Sequence, residues 1–419
     1  MIDIETRQTR TRRRLLVTLF AASGINRTAF IAAITVAPLA AEDLLGSARW
    51  SGAATAVATL GLALGVAPLA AFMARRGRRP GFSVALSVAA AGAAVAGVAV
   101  RLESFPLLML AMLLFGLGSS GDRLSRYAAA DVAPAHLRAS AISAIVWSGT
   151  VGSVAGPLLL GPSETLARSL GFPSVAGGFL VAAGLIAVSV LILTALLRPD
   201  PLAFAEGSLQ SDGGGIATAV AVPSLLRLPL MRYALVSLAI GQFVMVLIMA
   251  MTPIHIRAAG EDLTLVGLVI GAHTFGMFFF SPVTGWLSDR FGSVPVIVAG
   301  QLLLVSAALL AAPAGGDDRT LLLVALFLLG VGWNFGFVAA SALVSSMGTG
   351  AARVRVQGVA DAATWISGAV AAVSSGIILD WQSYGVLAAG GAAATIAALI
   401  LRVWYRAPLA SRTPTQAGT

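Results

Sequence analysis

Twelve stretches of about twenty apolar residues, each bounded by charge or turn residues, run through this 419-residue chain. They fall at 15–39, 50–73, 82–100, 105–126, 139–160 and 174–197, then at 233–256, 263–287, 294–312, 321–343, 356–379 and 384–403. A hydrocarbon core of about 30 Å is crossed by about 20 residues of α-helix, so each stretch is long enough to span a bilayer. Composition excludes a water-soluble alternative: 58% of the chain is hydrophobic and 11% charged, against roughly 25% charged residues in a soluble domain. The predicted fold class is therefore an all-α membrane protein with twelve transmembrane helices.

The basic residues test that map independently. All 27 are arginine, and positive residues in short loops stay on the cytoplasmic side. With a cytoplasmic N-terminus, nineteen arginines fall on that side and five (Arg49, Arg101, Arg168, Arg257, Arg319) on the other, while Arg27, Arg123 and Arg126 fall inside helices. An error of one helix would scramble the split, which supports an even count with both termini cytoplasmic, in a cell inner or plasma membrane. Arg7, Arg10, Arg12, Arg13 and Arg14 imitate the basic start of a signal peptide. The apolar run behind them is about 25 residues long and a second follows, which fits a retained span better than a cleaved signal. The net charge of +9 makes the lipid bilayer the expected partner, and nucleic acid is not expected as one. With no cysteine, disulfides, thiolate metal sites and cysteine nucleophiles are excluded.

The chain reads as two related halves. Residues 1–200 form a first six-helix bundle, 201–230 a cytoplasmic linker containing Gly213, Gly214 and Gly215, and 231–419 a second bundle with a tail. Gly77 and Gly292 close equivalent loops. Gly116-Leu117-Gly118 recurs as Gly330-Val331-Gly332, and Trp147 and Trp365 lie equally deep in the fifth helix of each half. Duplication of this kind builds many secondary transporters, with the binding site at mid-membrane between the repeats.

After helix eight the chain reads Gly285-Trp286-Leu287-Ser288-Asp289-Arg290-Phe291-Gly292-Ser293. This resembles the G-x-L-x-D-R-x-G-R loop signature of the major facilitator superfamily, with Ser293 in place of the last basic residue. The counterpart after helix two keeps Arg75, Arg76, Gly77, Arg78 and Arg79 but has Ala70 for the first glycine and Ala74 for the aspartate. Asp131, Pro134 and Arg138 resemble the superfamily's D-x-x-P-x-x-x-R connection, in which His136 reads as a solvated loop residue. Gly152, Gly156 and Pro157 in helix five are similar to the glycine-proline pattern of its antiporter branches and read equally as a packing seam. The resemblance implies the major facilitator fold, two pseudo-symmetric six-helix bundles rocking about a central site lined by helices one, four, seven and ten.

Each loop must reverse within about three residues, which glycine permits by accepting positive φ. An aspartate there can accept hydrogen bonds from N–H groups at a neighbouring helix start. The expected gate comprises Arg75, Gly77, Arg78, Arg123, Arg126, Asp131, Arg138, Gly285, Asp289, Arg290, Gly292 and Asp361. Within it, Arg138 is the candidate partner of Asp289. Asp361 is a candidate to replace the missing loop carboxylate, against Arg75 or Arg78.

Polar side chains within spans narrow the site, because a charge in hydrocarbon is costly and normally faces a cavity. Arg27 lies 13 residues past Arg14, roughly 20 Å deep at 1.5 Å per residue. Asn26 projects about 100° away, so one of the two faces the cavity squarely. Arg123 and Arg126 share a face and read either as snorkelling to the interface or as part of the gate. Substrate contacts are expected from Asn26, Arg27, Gln242, His273, Trp333 and Asn334, and proton coupling from Asp122 and His273. Trp50, Trp286, Trp381 and Trp404 read as interfacial anchors.

No phosphate-binding G-x-x-x-x-G-K-[ST] loop and no spaced histidine cluster occur in the sequence. No enzymatic activity, cofactor or bound metal is expected, and a monomer is. The leading functional expectation is proton-coupled efflux of hydrophobic small molecules by alternating access. Uptake or exchange of a small organic anion through Arg27 is the alternative, and a non-transporting sensor or assembly factor the third.

Overall fold

The computed structural model describes residues 2–46, 52–211, 222–261 and 263–404. Twelve helices in it are long and apolar enough to cross a membrane. They are α1 Ile2–Leu45, α2 Gly52–Arg76, α3 Arg78–Arg101, α4 Phe105–Val132, α5 Arg138–Leu158 and α6 Ala176–Leu196. The second set is α7 Pro229–Ala258, α8 (in two pieces, Leu263–Phe278 and Ser281–Phe291), α9 Ser293–Ala311, α10 Arg319–Ser346, α11 Gly350–Trp381 and α12 Tyr384–Trp404. The described residues form no strand. The apolar core falls into two clusters, one mainly on α1–α6 with Val354 of α11, the other mainly on α7–α12 with Ala130 of α4 and Ala139, Ile142 and Val146 of α5.

The linker is more ordered than its composition predicts. Pro201–Ser211 and Val222–Arg227 are helical, while Gly213, Gly214 and Gly215, like Trp50, lie outside the described residues. α8 departs from the continuous helix predicted over 263–287. It breaks between Phe278 and Ser281, and Pro282 opens its second piece, where a missing N–H costs least.

The duplication is visible in backbone geometry. Gly77 at φ 96° and Gly292 at φ 87° end α2 and α8 in the same left-handed conformation. A Cβ on Gly116 would sit 1.9 Å from the Ala58 carbonyl oxygen of α2, and one on Gly330 would sit 2.2 Å from the His273 carbonyl oxygen of α8. The repeated glycines therefore let the fourth helix of each half lie directly on the second. Gly330→Val forces two backbones apart and is expected to cost about 1–3 kcal/mol. The check is a lowered thermal midpoint in detergent, with Gly336→Ala in the same helix, where nothing lies within 4 Å of the added Cβ, leaving it unchanged.

The halves touch along α2 against α11 and α5 against α8, with α4 and α5 also meeting α10. Odd-numbered helices leave the face carrying the arginine-rich loops and even-numbered ones return to it. Hydrogen bonds and ion pairs between the halves join groups near that face. These contacts hold the two halves together at that face.

Candidate functional site: an arginine and aromatic cavity between the halves

A cavity of about 260 Å³ lies at the junction of the halves. Arg27 of α1 and Arg123 and Arg126 of α4 form one wall. Gln242, Met245, Val246 and Met249 of α7, Met277 and Phe278 of α8, Trp333 and Phe337 of α10 and Trp365 of α11 form the other. Small residues seat the first arginine. A Cβ on Gly152 would lie 2.7 Å from the Arg27 Cβ, and one on Gly156 would lie 2.7 Å from Ile31. These two positions of the helix-five pattern thus bring α1 against α5 at the depth of the site, as a packing seam does; the Pro157 side chain lies outside the described residues.

The three arginines differ in their partners. Arg27 Nε is 3.5 Å from Asp122 Oδ2 and 3.4 Å from Ser23 Oγ, and Ser23 donates to Asp122 Oδ1 at 2.7 Å. Arg126 pairs with Asp361 of α11 and donates to Ser341 Oγ of α10 at 3.1 Å and to Tyr127 at 3.1 Å. Its guanidinium lies 4.2 Å from the centre of the Phe337 ring. Arg123 lies between two rings, 4.9 Å from Phe30 and 4.8 Å from Trp365. Among the described residues no carboxylate lies within ion-pair distance of Arg123, and its buried Nε has no hydrogen-bond partner. Three guanidinium groups therefore face two carboxylates, leaving one positive charge uncompensated in the wall.

The opposite wall is largely apolar and carries four aromatic rings, Phe278, Trp333, Phe337 and Trp365. Trp333 stacks on Phe337 at 4.4 Å and meets Phe278 edge to face at 6.2 Å, while its Nε1 donates to Gln242 Oε1 at 2.9 Å. Arg27 lies 5.9 Å from the Phe278 ring, so the broken end of α8 carries an aromatic group up to the cationic wall. Such a site offers ring faces for stacking and guanidinium N–H groups for carboxylate, phosphate or carbonyl oxygens.

Several expected site residues lie elsewhere. Asn26 is turned from the cavity and donates to Ser189 Oγ of α6 at 2.9 Å; Arg27 is the one of the adjacent pair that faces it. His273 is fully buried against α10, its Nδ1 2.9 Å from the Leu326 carbonyl, and it does not line the cavity. Asn334 donates to Ser281 Oγ and to the Met277 carbonyl at 2.6 Å each and receives a bond from Thr284, so it ties α10 to α8. Asp122 lies behind Arg27 rather than on the wall. Arg123 and Arg126 are not snorkelling: both line the cavity. The reason is azimuthal. Packing turns these side chains toward neighbouring helices.

Below the cavity, three charged clamps close the arginine-rich face. The first is the Arg126–Asp361 pair, which replaces the expected contact of Asp361 with Arg75 or Arg78. The second is buried Asp131, held by Arg78 of its own half at 2.8 Å and by Arg353 of α11 at 2.8 Å. Arg78 also donates to Gln357 Oε1 of α11 at 2.5 Å. The third is Asp289, which accepts from the backbone N–H groups of Ala139 and Ser140 at 2.9 and 2.8 Å. It caps the start of α5 instead of pairing with Arg138, which has no carboxylate within ion-pair distance among the described residues. Gly285 permits this contact, since a Cβ there would lie 2.2 Å from Ser143 Oγ. Arg75 and Arg290 are exposed at the rim, the latter beside the rings of Trp286 and Phe291. Trp286 and Trp381 are exposed near helix ends, as anchors should be, while the Trp404 side chain lies outside the described residues.

Sequence reasoning missed Asp200. Its carboxylate accepts from the N–H groups of Arg78 and Arg79 at 3.2 and 2.7 Å, capping α3 and fastening the linker to the first short loop. It also missed Phe278, Phe337 and the apolar side of α7. A signal for the last existed: Gln242, Met245, Val246 and Met249 fall at i, i+3, i+4 and i+7, one face of a helix. Phe337 likewise lies one turn beyond Trp333.

Two bundles closed at one face over a shared interdomain cavity define a secondary transporter fold. The family model described as Major Facilitator Superfamily matches residues 18–272 and 235–418, and the chain belongs to that superfamily. It is 34% identical over 378 residues to YddS of Bacillus subtilis, an uncharacterized MFS-type transporter, covering 89% of this chain and 86% of that one. It is 30% identical over 399 residues to the riboflavin transporter RfnT of Brucella anthropi, covering 93% and 96%. Among solved structures, an outward-facing bacterial homologue of the iron transporter ferroportin superposes with a TM-score of 0.72 at 15% identity, covering 93% of this chain and 99% of that one.

Proposed function

We propose that this transporter carries a planar aromatic organic solute bearing anionic or carbonyl acceptor groups, bound between the arginine wall and the aromatic wall and moved by alternating access. The supporting observation is Arg123, a half-buried guanidinium between two rings with no carboxylate partner among the described residues. At an effective dielectric of 20, a unit negative charge 4 Å from it gains about 4 kcal/mol before its own dehydration is counted. A purely hydrophobic cargo would leave that charge unanswered, which weighs toward the organic anion and against hydrophobic efflux. Riboflavin, named for the relative in Brucella anthropi, has a ring system and carbonyl groups of this description. Its 5′-phosphate adds the anion.

The arginine-rich face is taken as cytoplasmic, in the inner or plasma membrane of a cell, and the chain as a working monomer. Solute entering from the opposite face competes for Arg126 with Asp361. Loosening that pair weakens the closure between α4 and α11 and favours opening toward the cytoplasm. Proteoliposomes loaded with either flavin are expected to exchange it for labelled flavin outside. Exchange no faster than in protein-free vesicles for both flavins rejects the reading. Proton coupling is a second element, favoured by Asp122, a buried carboxylate directly behind Arg27 of the cavity wall. Gradient-driven accumulation that disappears in Asp122→Asn is its expected signature, and accumulation unchanged in that variant contradicts it.

A further inference from the structure

A second, larger cavity of about 420 Å³ lies far from the interdomain site, on the flank of the first half. One side is the arginine-bearing start of α1, from Thr9 to Val17. The other is the α4–α5 connection and the first two turns of α5, through Pro134, Leu137, Ala141 and Ile145. Arg12 and Arg13 belong to the α1 side, and no carboxylate lines the cavity. Arg12 Nε donates to the Val132 carbonyl at 3.1 Å, which fixes this guanidinium beside the mouth, and Arg13 is exposed.

We propose that this groove binds one anionic glycerophospholipid, its phosphate on Arg12 and Arg13 and an acyl chain along the apolar channel behind them. Charge and depth both point to that occupant. The arginines sit where the apolar run of α1 begins, the level of lipid headgroups, and an anionic leaflet attracts basic residues at that level. Val17, one turn further in, is 58% exposed, and Leu137, on the α4–α5 connection, 45%. Apolar surface of this kind is a liability in water and an asset beside lipid tails. The groove also touches Ser140, whose N–H is bonded to Asp289. Lipid bound there braces the same end of α5 that the third clamp holds.

The test is native mass spectrometry of the full chain in detergent, with phosphatidylglycerol and phosphatidylcholine of identical acyl chains. Wild type is expected to retain one phosphatidylglycerol with about tenfold preference. Arg12→Gln/Arg13→Gln should bring the two lipids to parity, and Ala144→Phe, an exposed wall position, should reduce retention of both. Arg13→Gln alone, which leaves the Arg12 bond to α4 intact, should lower the preference by an intermediate amount. Equal retention of the two lipids by wild type overturns the proposal, as does undiminished preference in the arginine variants. Displacement of the lipid by inorganic phosphate alone would mark a site for free anions, and a wild-type dimer that excludes lipid would mark a subunit interface; either result also overturns it.

Discussion

Asp131→Asn is expected to open the arginine-rich face, shifting the balance of the two states by on the order of a hundredfold or more. Asp131 is the carboxylate between Arg78 and Arg353, and all three side chains are buried. Removing one partner of a buried ion pair costs about 3–5 kcal/mol because the remaining charge is left uncompensated. That penalty applies to the closed state. Once the halves separate on this side, water solvates both guanidinium groups and the penalty disappears, so the variant favours opening. The chain contains no cysteine, so spin labels introduced at the exposed positions Arg76→Cys and Arg355→Cys on α2 and α11 report the separation without background. Asp289→Asn, which weakens a helix cap worth about 1 kcal/mol, should shift the balance only several-fold. Equal effects of the two variants, or none from Asp131→Asn, would contradict the assignment of the clamps.

Arg123→Gln is expected to weaken binding of riboflavin 5′-phosphate by about 10–100-fold while changing riboflavin by less. The estimate follows from a charged hydrogen bond worth about 1.5–3 kcal/mol. Arg123 is a cleaner probe than Arg27 or Arg126, since truncating either of those strands a buried carboxylate, Asp122 or Asp361. Flavin fluorescence quenching in detergent measures both ligands in one format. Trp333→Ala should instead weaken both equally, because it removes a stacking surface and not a charge. If Arg123→Gln affected the two flavins identically, the cationic wall would not be reading the anion.

The clamps also explain how a transporter keeps two states close in energy. Buried ion pairs contribute little net stability, because dehydration cancels much of their attraction. Closing a face with them therefore makes separation inexpensive, while an intact apolar seam would hold it shut. Each ion pair is favourable enough to fix the register of α4 against α11 and weak enough to be released by a ligand of modest differential affinity.

The legible part of this structure was whatever depends on position along the chain. Span count follows from apolar length at a rise of 1.5 Å per residue, and the two-fold repeat from the glycines that recur in each half. What depends on rotation about a helix axis was not legible in the same way. Each residue turns the side chain by about 100°, so Asn26 and Arg27, at nearly the same depth, meet different neighbours: Asn26 bonds to Ser189 of α6 while Arg27 lines the cavity. Partners across the halves were the least legible. Asp361 pairs with Arg126 and not with Arg75 or Arg78, a choice set by how α4 and α11 cross. Asp200 was hidden because a carboxylate in a proline-rich linker carries no pattern that marks it as a helix cap.

The most direct measurement uses two label pairs in the otherwise unaltered chain, Arg76→Cys with Arg355→Cys at the arginine-rich face and Asp43→Cys with Ala258→Cys at the opposite one. All four positions are exposed. Saturating riboflavin 5′-phosphate should lengthen the first distance and shorten the second in the same molecules. If the ligand binds and both distances stay fixed, or both move in the same sense, the cavity between the halves is not the site that switches the open face.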